Sequence, residues 1–100
     1  MSEHAPSLTK LREQRDEILS LAKEYNVSNI RVVGSVARQQ ASIGSDVDLL
    51  ITMPAERDVF DLIGLWLDLE TLLEYRGNLI PDNSSHQTFI ETALEDAVRL

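Results

Sequence analysis

Two short stretches hold the residues best suited to chemistry. The first is Gly34-Ser35, where a β-branched run, Ile30-Arg31-Val32-Val33, gives way to a helical turn. Glycine permits a tight backbone turn, and the N–H groups at a helix start, with a serine hydroxyl beside them, bind phosphate oxygens. The second is Asp46-Val47-Asp48, at the entrance to Leu49-Leu50-Ile51. Side chains two apart on a strand point to one face, so both carboxylates project together. Two such charges repel unless something neutralises them. A divalent cation does so, and oxygen-only ligands, in a chain with no cysteine and no well-placed histidine, favour Mg2+ or Mn2+. Each stretch alone also has a plainer reading. Gly-Ser turns are common, and Asp-x-Asp at a loop–strand junction serves equally as a solvated pair. Arg38, one turn beyond Ser35, suits either a phosphate contact or a surface ion pair, and Ser45 suits a loop cap.

The elements that must position these residues follow from hydrophobic spacing. Residues 1–6 read as a flexible tail holding His4, and residues 7–100 as one domain. Ser7 is a suitable N-cap for a helix whose apolar face is Leu8, Leu11, Ile18, Leu19, Ala22 and Tyr25, stopping near Asn26. Tyr25 reads as a packing residue. Ile30–Val33 is a strand, Val36–Gln40 one or two helical turns, and Ala41–Ser45 a loop. Val47–Met53 is a second, buried strand closed by Pro54. Residues 56–75 give the longest helical pattern, with Val59, Leu62, Ile63, Trp66, Leu69 and Leu73 as its stripe and Trp66 as core. Gly64 within it costs about 1 kcal/mol against alanine and suits a close approach by a neighbour. Leu65, Leu67 and Leu72 widen the apolar face enough for a second core layer or a partner. Gly77–Ile80 is a third strand, residues 82–85 a turn, and residues 86–100 an amphipathic helix carrying Phe89, Ile90, Ala93, Leu94, Ala97 and Val98. His86 reads as a capping or solvent-facing residue. The order α-β-α-β-α-β-α predicts a layered α/β or α+β domain, its small three-stranded sheet packed by helices.

Composition narrows the function classes. One hundred residues fit one domain, and a 43% hydrophobic content suffices for a core. A net charge of −8 argues against direct nucleic-acid binding or docking on anionic membrane, since both need clustered Lys and Arg. The absence of cysteine excludes disulfides, thiolate metal sites and cysteine nucleophiles. No signal core opens the sequence and no apolar run would span a bilayer, so a cytoplasmic location is expected.

Gly34-Ser35, ten intervening residues, then Asp46-Val47-Asp48 resembles the GS-x10-DxD signature of the minimal nucleotidyltransferases, within the superfamily of DNA polymerase beta and kanamycin nucleotidyltransferase. The wording RVVGSVARQQASIGSDVDLLI is similar to the small prokaryotic MNT proteins, and the flanking helices extend the likeness over nearly the whole chain. The resemblance implies a mixed sheet in the nucleotidyltransferase fold. It assigns Asp46 and Asp48 as catalytic Mg2+ ligands and Gly34 and Ser35 to the phosphates of ATP, and leaves Arg38 as a candidate for a further nucleotide contact. It also implies a role as the antitoxin of a HEPN–MNT pair, transferring AMP to a tyrosine hydroxyl of a HEPN ribonuclease toxin within a hetero-oligomeric complex. A small-molecule acceptor fits less well, because such enzymes usually carry an extra domain.

Two positions depart from the family pattern. Gln39 stands where glycine is usual, which predicts a changed loop geometry. Asn78 stands where the next strand commonly carries a third carboxylate. An amide oxygen can ligate a metal but cannot accept a proton at neutral pH. The alternative expectation is therefore a weak or inactive protein that neutralises its toxin by binding. Glu74 and Asp82 lie nearby in sequence, with nothing to make either a substitute.

Overall fold

The computed structural model describes residues 4–54, 56, 59–83 and 87–100, without the side chains of Gln87 and Phe89. The expected capping role of His86, the end of the turn at residues 84–85 and the packing of Phe89 lie outside the described residues.

Ser7 begins the regular structure. Its backbone is extended, and its hydroxyl accepts the Lys10 N–H at 3.2 Å. Within the segment read as a tail, Pro6 is buried and the Ala5 carbonyl accepts from the Tyr75 hydroxyl at 3.4 Å. The first helical pattern is two helices, α1 (Leu8–Glu13) and α2 (Arg15–Glu24), hinged at Gln14. Between Leu11 and Ile18 the one half-buried position is the polar Gln14, so no apolar side chain holds a straight helix against the core there. Leu11, Ile18 and Ala22 are buried, while Leu19, expected on the apolar face, is exposed and Leu21 packs inward instead. Asn26, at φ 57°, ends this region in the left-handed conformation that asparagine tolerates.

Strand β1 (Ser28–Val33) starts two residues before the expected strand, because an irregularity between Ser28 and Arg31, with Asn29 at φ 54°, lets it regain register. Short helix α3 (Gly34–Ala37) begins on the glycine itself. Strand β2 (Val47–Thr52) runs antiparallel to β1, and β3 (Gly77–Pro81) runs parallel to β2. Among the described residues the sheet has four strands, not three, in the order β3-β2-β1-β4. The fourth, β4 (Val98–Arg99), pairs antiparallel with β1. Accordingly the last helix, α5 (Gln87–Asp96), stops short of the expected end at residue 100. The open edge of β1 draws the last residues out of the helix: Val98 pairs with Val32, and the Leu100 N–H points to the Ile30 carbonyl at 3.5 Å. The Arg99 carbonyl also accepts from the Arg12 guanidinium at 2.9 Å.

Alternation along the strands sends side chains to two cores. Val32, Leu49 and Ile51 face a larger core with α1, α2 and α4 (Val59–Leu73), whereas Val33 and Leu50 pack with Ile90 and Ala93 of α5. In α4 the buried residues are Leu65, Leu69 and Leu73, with Leu62 and Leu72 packed beside them. Val59, Ile63 and Trp66, expected in the stripe, lie on the outer side. Gly64 accounts for that rotation. A Cβ there would sit 3.0 Å from the Tyr25 ring, so the helix presents its glycine to α2, and the Tyr25 hydroxyl donates to Asp68 at 2.7 Å. That hydrogen bond, then desolvation, then the negative charges of Asp68, Glu24 and Asp61 raise the Tyr25 phenol above its ordinary value. Among the described residues, no helix is long and apolar enough to cross a membrane.

Candidate active site

One end of the sheet gathers the end of β1 and the starts of β2 and β3. Asp48, the second residue of β2, pairs across the sheet with Val33 on one side and with Asn78 on the other. Gly34 directly follows Val33. Its φ of +73° is one that side chains rarely adopt, and a Cβ there would lie 2.6 Å from Asp48 Oδ2. Glycine is therefore required twice, by the turn and by the carboxylate against it. The Gly-Ser turn and the Asp-x-Asp pair, twelve positions apart from Gly34 to Asp46, form one site.

On the other side of β2, the Asn78 amide nitrogen donates to Asp48 Oδ1 at 2.8 Å and lies 3.4 Å from Asp46 Oδ2. Both carboxylates are thus within reach of one group, as their i, i+2 spacing requires. Asp46 is exposed and Asp48 half-buried. Because β3 is held in register from Val47–Gly77 to Ile51–Pro81, the place of Asn78 beside the pair is fixed by backbone pairing. A polar cluster secures the far end of that strand. Asp82 Oδ2 accepts from Thr52 Oγ1 at 2.5 Å and from Arg31 at 2.9 Å, and the Asp82 N–H donates to the Ile51 carbonyl. Asp82 is therefore remote from Asp46 and Asp48. Glu74 lies closer, lining with Tyr75 and Arg76 a cavity of about 230 Å3 against Ile43, Gly44, Ser45 and Asp46.

The remaining loop residues hold the turn. Ser45 Oγ accepts the Ser42 N–H at 2.9 Å, the expected loop cap. Gln39 has φ 59°, so the loop keeps the left-handed geometry that glycine would adopt without strain. Arg38 is exposed, pairing with Asp96 at 3.0 Å and reaching Gln40 Oε1 at 3.2 Å. In this arrangement its surface ion pair is formed. Among the described residues no side chain caps α3, and Ser35, half-buried, follows Gly34 in its first turn.

Among the described residues there is no group of three or more His, Cys, Asp or Glu side chains able to hold a metal. The donors at the site are two carboxylates and one amide. Mg2+ commonly takes one or two protein carboxylates and completes its shell with water and substrate phosphates, so this donor set fits a cation that arrives with a nucleotide.

A cavity of about 570 Å3 opens beside the pair, lined by Asp48, Asn78, Leu62, Ile63, Trp66, Leu79 and Ile80. Its apolar wall was not legible as part of a site, because α4 leucines and a tryptophan at helical spacing read as core. Trp66 is instead 39% exposed, and its indole N–H donates to Glu70 at 2.8 Å. Glu70 also accepts the Gly77 N–H at 2.9 Å, which ties the indole to the start of β3. The one available signal was the Trp66–Glu70 spacing of four.

Residues 11–100 match the nucleotidyltransferase domain family. Two Methanocaldococcus jannaschii proteins are similar in sequence. The one named "Putative protein adenylyltransferase MJ0126" is 34% identical, over 86% of this chain and 85% of its own length. "Putative protein adenylyltransferase MJ1217" is 33% identical, over 76% of this chain and 78% of its own length. A solved "putative minimal nucleotidyltransferase" superposes with a TM-score of 0.83 at 35% identity, covering 95% of this chain and 97% of that one. A chain of a toxin–antitoxin structure with AMP-PNP shares the fold, with a TM-score of 0.74 at 16% identity, over 84% of this chain and 69% of its own. The chain belongs to the nucleotidyltransferase domain family.

Proposed function

We propose that this protein is an antitoxin-type adenylyltransferase, which transfers AMP from ATP to a tyrosine hydroxyl of a cognate HEPN ribonuclease toxin. One observation carries the reading: the Gly34 turn lies against Asp48 so closely that no side chain could be interposed. Phosphates held by the turn would then lie beside the carboxylates. In this reading Gly34 and Ser35 hold the β- and γ-phosphates through backbone N–H groups and the Ser35 hydroxyl. Asp46 and Asp48 hold Mg2+ (or Mn2+), which when bound offsets charge on the α-phosphate and the departing pyrophosphate. Arg38 supplies a further phosphate contact only by leaving Asp96.

The acceptor oxygen forms a bond to the α-phosphorus. The bond from that phosphorus to the bridging oxygen breaks, and pyrophosphate departs. Asn78 cannot take the hydroxyl proton, so the proton passes to water. General-base assistance is worth about 10²–10⁴-fold, and transfer should be slower than in a site with a third carboxylate by a factor of that order. The relatives' name, protein adenylyltransferase, and the toxin–antitoxin neighbour support a protein acceptor. A phosphodiester added near an RNA-binding surface would oppose RNA by charge and bulk.

Asn78 favours a second reading. Its amide nitrogen, 2.8 Å from Asp48 Oδ1 and 3.4 Å from Asp46 Oδ2, stands where a third acidic ligand and proton acceptor would be. In that reading the chain neutralises its toxin by docking alone. The two separate on the Asp46→Ala/Asp48→Ala double variant, mixed with the HEPN toxin, ATP and Mg2+. Loss of both AMP transfer and neutralisation supports the enzyme. Neutralisation that survives unchanged supports docking and overturns the enzymatic reading.

A further inference from the structure

We propose that the outer face of α4, with the groove between it and the free edge of β3, is a docking surface for a helix of a partner protein, one whose apolar anchors are flanked by Lys and Arg. The existence of a protein partner rests on the antitoxin reading above; the surface and the chemistry of what covers it are new.

The face is apolar and exposed. Val59, Phe60, Ile63, Trp66 and Leu67 are between 39% and 75% exposed. At about 100° per residue they share one arc of about 120°, clear of the stripe of Leu65, Leu69 and Leu73 that enters the core. Of the eight large apolar side chains exposed among the described residues, these five lie on one helix, while Leu19, Ile43 and Leu94 lie apart on other segments. Scattered exposed apolar residues are ordinary, but a contiguous group marks an interaction site.

The cavity of about 570 Å3 continues this face. Leu62, Ile63 and Trp66 line it from α4, and Asn78, Leu79 and Ile80 from β3. Successive strand residues point to opposite faces of the sheet, so a cavity that touches all three follows the outer edge of the strand. β3 is the last strand on its side of the sheet.

That edge suits a helix better than an added strand. The Arg76 carbonyl accepts from the Val47 N–H and the Asp82 N–H donates to the Ile51 carbonyl, so the even-numbered residues turn their backbone groups to β2 and the odd-numbered ones outward. Among the outward residues, the Gly77 N–H is already taken by Glu70 at 2.9 Å, and Pro81 has no N–H. Leu79 is left with the one outward donor, too few for strand addition. Side chains of an amphipathic helix seated in the groove need none.

Charge selects the flanks of that helix. From Val59 to Tyr75 the charged residues are Asp61, Asp68, Glu70 and Glu74, with cations only beyond the ends, at Arg57 and Arg76. A second copy of this chain, itself of net charge −8, would set one acidic rim against another, which opposes association. The complement is an apolar helix face bordered by Lys and Arg. A protein that handles RNA is rich in such residues.

Calorimetric titration of the HEPN toxin into the whole protein tests this. Leu67→Glu should weaken the complex at least about tenfold, Leu67→Lys should weaken it further, and Leu94→Glu on α5 should bind within about twofold of the parent. All three side chains replace exposed leucines, so parent-like melting temperatures serve as the folding control. Raising NaCl from about 0.05 to about 0.5 M should weaken the parent complex, and the protein alone should sediment as a monomer. Binding indifferent to both Leu67 changes, or weakened as much by Leu94→Glu, would overturn the proposal. Tighter binding with Lys than with Glu at position 67 would mean an acidic partner, and self-association abolished by Leu67→Glu would make this face a dimer interface; either would overturn it. Absence of any complex with the unchanged protein refutes the toxin reading and this inference together, whereas a complex that forms regardless of Leu67 refutes this inference alone.

Discussion

Asn78 stands directly beside Asp48 across two parallel strands, and its amide nitrogen donates to Asp48 Oδ1 at 2.8 Å. The position that could complete an acidic triad thus holds a neutral donor, which adds a hydrogen bond to the Asp48 carboxylate and no third negative charge.

Replacing that donor reverses both effects. Asn78→Asp puts a third carboxylate beside two others, at a cost of about 1 kcal/mol per close pair in a solvated setting. The variant should melt below the parent protein in chelator and recover with millimolar Mg2+. In the same variant AMP transfer should rise, by a factor within the 10²–10⁴ range of general-base assistance. Thermal melts with and without Mg2+, alongside a transfer assay, check both parts. A variant indifferent to Mg2+ and no faster would deny Asn78 its assigned place in the site.

The turn makes a stricter demand. Gly34→Ala must hold a side chain at φ +73° and place its Cβ 2.6 Å from Asp48 Oδ2. Backbone strain of this kind costs about 1–3 kcal/mol, and the Asp48 carboxylate must move as well. Denaturant unfolding should show a loss of that size, and equilibrium dialysis with ATP and Mg2+ should show weakened binding. Unimpaired nucleotide binding would separate the turn from the phosphates.

Legibility in the sequence followed how local the determinant was. The three strands that carry the site, the Ser7 cap and a close approach at Gly64 were readable because each rests on a short pattern: a β-branched run, a capping serine, a glycine within a helix; that Tyr25 is the neighbour was not. The meeting of Gly34 with Asp48 was readable only through the resemblance, since nothing in twelve positions of spacing dictates it. Helix α4 was misoriented because Leu62, Ile63, Leu65, Trp66, Leu67, Leu69, Leu72 and Leu73 are apolar on nearly every side. Periodicity then selects no face, and packing of Tyr25 against Gly64 does. Strand β4 was missed for a related reason. Ala97 and Val98 continue the helical spacing, no glycine or proline interrupts it, and the pairing partner lies on β1, far away in sequence.

The far end of β3 should control the near end. Asp82 joins Thr52 and Arg31, whose side chains are mostly buried with it. Asp82→Ala leaves the Arg31 guanidinium without its carboxylate and should cost about 1–3 kcal/mol. Hydrogen exchange should quicken along residues 77–80, with the Asn78 amide among those affected. Protection unchanged from the parent would mean that strand pairing alone sets the register.

Tyr25 gives the protein an alkaline signature. Its phenol is raised above 10.0, chiefly by the hydrogen bond to Asp68. The folded state therefore holds this proton more tightly than the unfolded chain does. The resulting stabilisation is complete below pH 10 and is lost as pH rises through the raised value. Tyr25→Phe should remove that component, so its stability should fall less steeply than the parent's above pH 10 in denaturant titrations. Parallel pH profiles would rule the contact out as a source of stability.

The enzymatic claim is tested most directly by intact-mass spectrometry of the HEPN toxin after incubation with this protein, ATP and Mg2+. The toxin should gain the mass of AMP, with the adduct on a tyrosine and absent from the Asp46→Ala/Asp48→Ala sample. A folded, tightly bound pair with no mass gain would contradict it and leave neutralisation to binding alone.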